Sequence, residues 1–134
     1  MTLRLDADFD DGAGSVSAAR EFVAAALNAW GLGDLADVAV LLTSEVATNA
    51  VAHARTAYRL AVDYRGPDVV VEVHDRCARL PQPRTPQPDE PGGRGLLIVD
   101  SFADSWGASA EPGGKVVWFV LQSERPQPLA AIGG

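Results

Sequence analysis

A carboxylate and an amide one helical turn apart are the residues best suited to chemistry in this chain. Glu45 and Asn49 lie in VAVLLTSEVATNAVAH, Val38 to His53, and their four-residue spacing stacks them on one helical face. Asn is a neutral oxygen ligand for a hard cation such as Mg²⁺, which keeps several waters and takes its other ligands from phosphates. Glu one turn away can orient or deprotonate a water or a hydroxyl. Val38, Leu41, Leu42 and Ala52 recur at helical spacing on the same side, so the two polar residues are expected inside a core stripe. There they are costly unless something pairs with them. A buried Glu–Asn pair, or Glu45 bonded to Arg20 or to a helix terminus, is the bland alternative, and the helix alone does not choose between them. His53 follows one turn on, at the stripe's edge.

Two further places could supply a partner. By strand parity Asp75 shares the buried face of Val69, Val71 and Val73, at a strand end. A buried carboxylate there can accept from an exocyclic amine, or can simply cap a turn. Gly92-Gly93-Arg94-Gly95 opens directly into Leu96, Leu97, Ile98 and Val99. Glycines allow close backbone approach, and free N–H groups at a helix start favour phosphate. Taken alone, a loop with three glycines is more often just a flexible turn, and no Gly-Lys-Ser/Thr follows to make a Walker loop. His53 and His74 lack the partners of a zinc site.

The positioning elements follow from periodicity. Leu3, Leu5, Ala7 and Phe9 alternate with charged residues as a half-buried strand. Asp10 to Gly14 make a turn, with Ser15 or Ser17 as a helix cap. Ser15 to Trp30 reads as a first helix, ended by Gly31 and Gly33, and Asp34 as the cap of the second. Tyr58 to Arg65 and Val69 to Asp75 alternate around Gly66-Pro67-Asp68 as an antiparallel hairpin. Ala78 to Pro91, with five prolines, excludes regular structure and reads as a lid. A short third helix, a strand from Trp106 to Glu111 and a strand from Lys115 to Gln122 close the domain. The expected class is α+β: a two-layer sandwich, with a mixed, mostly antiparallel five-stranded sheet covered on one face by three helices. One domain spans residues 1–122, and residues 123–134 form a flexible tail.

Composition bounds the function. The 134 residues suffice for one core, with 47% hydrophobic and 22% charged residues. A net charge of -7 without a basic stripe disfavours nucleic acid and anionic membranes as partners. The single cysteine, Cys77, excludes an internal disulfide. Neither a secretory signal nor an apolar run of membrane length is visible, so the cytosol is the expected location.

Taken together and in order, the three sites resemble the GHKL ATPase superfamily. SEVATNAVAHA is similar to its N-box, HDRCARLP to its adenine-binding strand end, GGRGLLIVDSFADSWG to its second glycine box, and GGKVVWFVL to its closing strand. The likeness is nearest to the small stand-alone anti-sigma-factor serine/threonine kinases and their relatives. It implies a Bergerat-type fold that binds ATP with Mg²⁺. It implies that Asn49 contacts the metal, that Glu45 is the base toward a protein serine or threonine, and that Asp75 takes the adenine amine. Gly93 and Gly95 would lie against the phosphates with Arg94 close by. Leu96, His53 and Cys77 count among the nucleotide-binding positions. Such kinases phosphorylate an antagonist protein, sequester a sigma factor, and are commonly homodimers. Two departures stand out: Cys77 where glycine is usual, and Val116 or Val117 where the final strand usually carries threonine. An ATP-dependent kinase and a non-catalytic binding module of the same fold both remain open.

Overall fold

The computed structural model describes residues 2–79 and 95–123. The elements run β1 (Leu3–Phe9), α1 (Ser15–Ala29), a 3₁₀ turn (Gly33–Leu35), α2 (Ala36–Thr48), a π turn (Asn49–Ala54), β2 (Tyr58–Arg65), β3 (Asp68–Asp75), α3 (Gly95–Phe102), β4 (Ser105–Glu111) and β5 (Gly114–Gln122). The five strands form one sheet in the order β1-β2-β3-β5-β4. Every pairing is antiparallel, so the expected mixed sheet is fully antiparallel. α1 covers β1 and β2, α2 covers β3 and β5, and α3 covers β4, which makes the predicted two-layer sandwich.

The core lies between the layers. Strand alternation sends Leu60, Val62, Val69, Val71, Val73, Val117, Phe119 and Leu121 to the helices. α1 answers with Ala19, Val23, Ala26 and Leu27, and α2 with Ala39, Leu42, Val46 and Ala47. Leu5, on the same parity but on edge strand β1, stays 45% exposed. On the opposite sheet face the Trp118 ring lies against Gly107, where any side chain would strike it.

The expected helix caps differ. The residue before α1 is Gly14, and no side chain caps the helix. The Ser15 hydroxyl instead accepts from the Tyr58 phenol at 3.3 Å, across the buried helix–sheet boundary. Asp34 falls inside the 3₁₀ turn, and Leu35 precedes α2 without a side-chain cap. That tighter turn joins α2 end to end, and the π turn extends it, so Gly33–Ala54 is long and apolar enough to span a membrane, contrary to the expectation from the sequence. Its buried side packs on α1 and the sheet, and core formation accounts for that part of its apolar character.

The outer sheet face carries charge. Asp63, 2% exposed, pairs with Arg65 at 2.6 Å and with Arg4 at 3.4 Å. Arg4 also reaches Glu72 at 3.5 Å. His74 bridges Glu72 at 3.0 Å and Glu111 at 2.8 Å, tying β3 to the end of β4. Burial opposes the charged ring, but the two glutamate hydrogen bonds outweigh it and hold the His74 pKa above the free value. A folded pKa raised above the unfolded one stabilises fully below about pH 6.5, and that stability is lost as pH rises through the raised value. Wild type is therefore expected to exceed His74→Gln in urea unfolding at about pH 6 and to lose that margin as pH climbs. A margin that does not change with pH contradicts the bridge.

Candidate functional site

α2 is apolar on most of its surface, and the face that enters the core is not the expected one. Ala39, Leu42, Thr43, Val46 and Ala47 are buried, followed by Ala50 in the π turn. Leu41 is 39% exposed, Ala52 is exposed and Val38 is half-buried. Leu41, Glu45, Asn49 and His53 thus form a row beside the core, with Glu45 and Asn49 half-buried and His53 exposed. Neither Glu45 nor Asn49 has a side-chain hydrogen bond or ion pair among the described residues, and Glu45 does not reach Arg20 there. The two polar groups are therefore half-buried beside the core rather than paired with each other inside it.

The helix changes pitch at this row. Asn49 begins the π turn, a widened geometry frequent at functional sites. The segment stops at Arg55, which takes the left-handed conformation with φ 58°. Thr56 then accepts from the Arg76 N–H at 3.2 Å and donates to the Ala57 carbonyl at 2.8 Å. That contact brings the end of the α2 stretch to the Asp75 end of β3.

Asp75 lies on the helix side of the sheet, as parity requires. Its carboxylate is 3% exposed, and both oxygens are engaged. Oδ1 accepts from the Cys77 N–H at 2.8 Å, and Oδ2 lies 2.7 Å from the Lys115 ammonium, itself 6% exposed. Lys115 also donates to the Cys77 carbonyl at 3.2 Å. Asp75 and Lys115 are direct cross-strand partners. Gly114 makes this closeness possible, because a side chain there would run into the Asp75 carbonyl and the Arg76 backbone.

Lys115 is the residue that sequence reading missed. The sequence drew attention to Val116 and Val117, but the side chain opposite Asp75 belongs to Lys115. The available signal was parity: Lys115 alternates in phase with Val117, Phe119 and Leu121, which places a lysine on the buried face. Cys77 is half-buried with a free thiol, and its backbone rather than its side chain serves Asp75. Gly95 opens α3, which packs against α2. Gly93 and Arg94, with the lid, lie outside the described residues, as does the setting of the Leu96 side chain. Among the described residues no group of three or more His, Cys, Asp or Glu could hold a metal ion.

The Glu45–Asn49 row of α2, the strand-end Asp75 and the start of α3 at Gly95 all lie within one stretch of the chain. The model of the family described as the histidine kinase-like ATPase domain matches residues 10–121, which takes in all of these. The chain belongs to that family. The histidine kinase-like ATPase fold recurs in solved structures. One contains the RsbU and RsbW domains of a Mycobacterium tuberculosis protein, with TM-score 0.68 and 18% identity over 92% of this chain. Another is the histidine kinase domain of a blue-light activated histidine kinase from Erythrobacter litoralis, with TM-score 0.54 and 20% identity over 87% of this chain. This chain spans 33% and 64% of those two chains. No curated protein matches it in sequence. The GHKL superfamily expected from the N-box and glycine box is thereby borne out, together with the α+β sandwich. In coarse terms the chain is an ATPase-type nucleotide-binding domain.

Proposed function

We propose that this chain is an ATP-dependent regulatory kinase of the anti-sigma-factor type, which phosphorylates a serine or threonine of an antagonist protein and sequesters a sigma factor. The observation that carries this reading is the half-buried Glu45–Asn49 row on α2, beside the core, with both side chains unpartnered among the described residues. The structure with the RsbW domain supports the fold of such a protein. The residues present fit Mg²⁺-ATP: Asn49 keeps a free amide oxygen, and Asp75 has used two of its roughly four acceptor positions. The nucleotide supplies the phosphoryl group, and its metal ion the charge neutralisation.

The chain's own residues then have distinct tasks. Asn49 holds the cation through its amide oxygen. Glu45, one turn earlier, accepts the proton of the attacking hydroxyl and fixes its direction. Asp75 accepts from the exocyclic amine of the base and so sets where the nucleotide's far end sits. His53 lies one turn beyond Asn49 on the phosphate side. Gly93, Arg94, Gly95 and Leu96 contribute the phosphate-side backbone, with Cys77 beside the base. The protein acts in the cytoplasm, as one domain over residues 1–122, alone or as a homodimer, on protein partners rather than on nucleic acid or membrane.

A second reading is a regulator that holds its partner with nucleotide binding weak or lost. The specific observation in its favour is the closed Asp75–Lys115 ion pair, which already engages both carboxylate oxygens. A pull-down from native cytosol with and without ATP, followed by transfer of labelled γ-phosphate to the captured protein, separates the readings. Label on a serine or threonine of that protein supports the kinase. Capture without any transfer supports the binding module. Label on a histidine of this chain contradicts both.

A further inference from the structure

Asp75, Lys115 and the Cys77 backbone form a closed network at the end of the sheet, on the side that faces the helices. Every member is counted. The ammonium has three N–H donors. One goes to Asp75 Oδ2 at 2.7 Å and one to the Cys77 carbonyl at 3.2 Å. The carboxylate has about four acceptor positions. Lys115 takes one and the Cys77 N–H takes another. One ammonium donor and about two carboxylate acceptors remain, on atoms 2.7 Å apart. Nothing among the described residues uses them. Both side chains are almost fully removed from water, so leaving that capacity unmet is costly.

We propose that Lys115 is a base-recognition residue: it holds the Asp75 carboxylate and offers its remaining N–H to a purine ring nitrogen. The site then takes a base edge with a donor and an acceptor side by side. The edge of adenine that carries the exocyclic amine has this pattern, with the amine donating to Asp75 and the adjacent ring nitrogen accepting from Lys115. The inference rests on the nucleotide-binding reading above and adds the residue that reads the ring. It also accounts for a cysteine at position 77, since the network uses only that residue's N–H and C=O.

The test compares ATP with 1-deaza-ATP, in which that ring nitrogen is a C–H, by calorimetry on the full chain with Mg²⁺. Wild type should bind the deaza analogue about tenfold more weakly, the worth of one charge-assisted hydrogen bond. Lys115→Met should bind both equally, and Lys115→Arg should keep a preference for ATP. The wild-type comparison needs no variant, so it stands even if Lys115→Met folds poorly in a parallel thermal melt. Equal binding of the two nucleotides by wild type overturns the proposal while leaving the nucleotide reading intact. Tighter ATP binding by Lys115→Met than by wild type also overturns it, because the lysine is then an occupant of the base's place. No binding of ATP by any form removes the nucleotide reading and this proposal with it.

Discussion

Replacing Glu45 with glutamine is expected to lower phosphoryl transfer to the partner by roughly 10²–10⁴-fold while ATP stays bound. The variant keeps the size and the hydrogen-bonding reach of the side chain and removes its capacity to take a proton. Glu45 is half-buried on α2 beside the core and has no partner among the described residues, so the fold should not depend on its charge. Stability close to wild type in urea, together with unchanged nucleotide affinity and lost transfer, is the expected combination. The measurement is single-turnover transfer from labelled ATP at saturating partner. Transfer at the wild-type rate removes Glu45 from the mechanism. Loss of nucleotide binding along with transfer would mean that the carboxylate holds the ligand rather than the proton.

The second large effect is on stability. Gly114→Ala is expected to cost roughly 3 kcal/mol or more, at the upper end for overpacking. An added Cβ would enter the Asp75 carbonyl and stand 2.8 Å from the Arg76 Cα. These are backbone atoms in paired strands, so no rotamer change relieves the contact. Either β5 moves away from β3 or the β3 end tilts, and both displace Asp75 relative to Lys115. Gly113→Ala is the comparison. Gly113 has φ 81° but open space around its Cβ position, so the cost there is conformational, about 1 kcal/mol. Urea unfolding of the two variants checks the order. A Gly114→Ala protein as stable as wild type would show that the close approach of β3 and β5 is not needed.

Much of the fold was legible because the strands keep strict alternation. Asp75 was placed on the buried side by counting twos from Val69, and its 3% exposed side chain lies there. The hairpin around Gly66-Pro67 came from the same alternation and its turn residues, and the short α3 from the glycines that precede it. The face of α2 was not legible. Its core side is built largely from Ala39, Ala47 and Ala50, which periodicity weighs lightly, while the larger Leu41 is exposed. When a helix is apolar nearly all round, the direction of the sheet decides the face, and sequence pattern cannot supply that direction. The caps failed for a related reason. Ser15 had a better partner in Tyr58, a residue 43 positions away, than in its own helix. Lys115 escaped notice because it opens the final strand, where a lysine is ordinarily solvated. Only the register of β3 against β5 shows that it sits opposite Asp75.

Glu45 and Asn49 were expected to need a partner because they seemed trapped in a core. They lie instead half-buried beside the core, which lowers the cost of burial and leaves the chemistry that their spacing permits. At the far wall, the difficulty first placed at Cys77 belongs to Lys115, since position 77 contributes only backbone to the network.

The most direct test of the central claim, that α2 and the Asp75 end of the sheet hold a nucleotide, is calorimetric titration of the full chain with ATP, with and without Mg²⁺. The account predicts saturable heat at one site per chain, weakened when Mg²⁺ is withheld and weakened to the same level by Asn49→Ala in its presence. No heat and no thermal shift at millimolar Mg²⁺-ATP would contradict it.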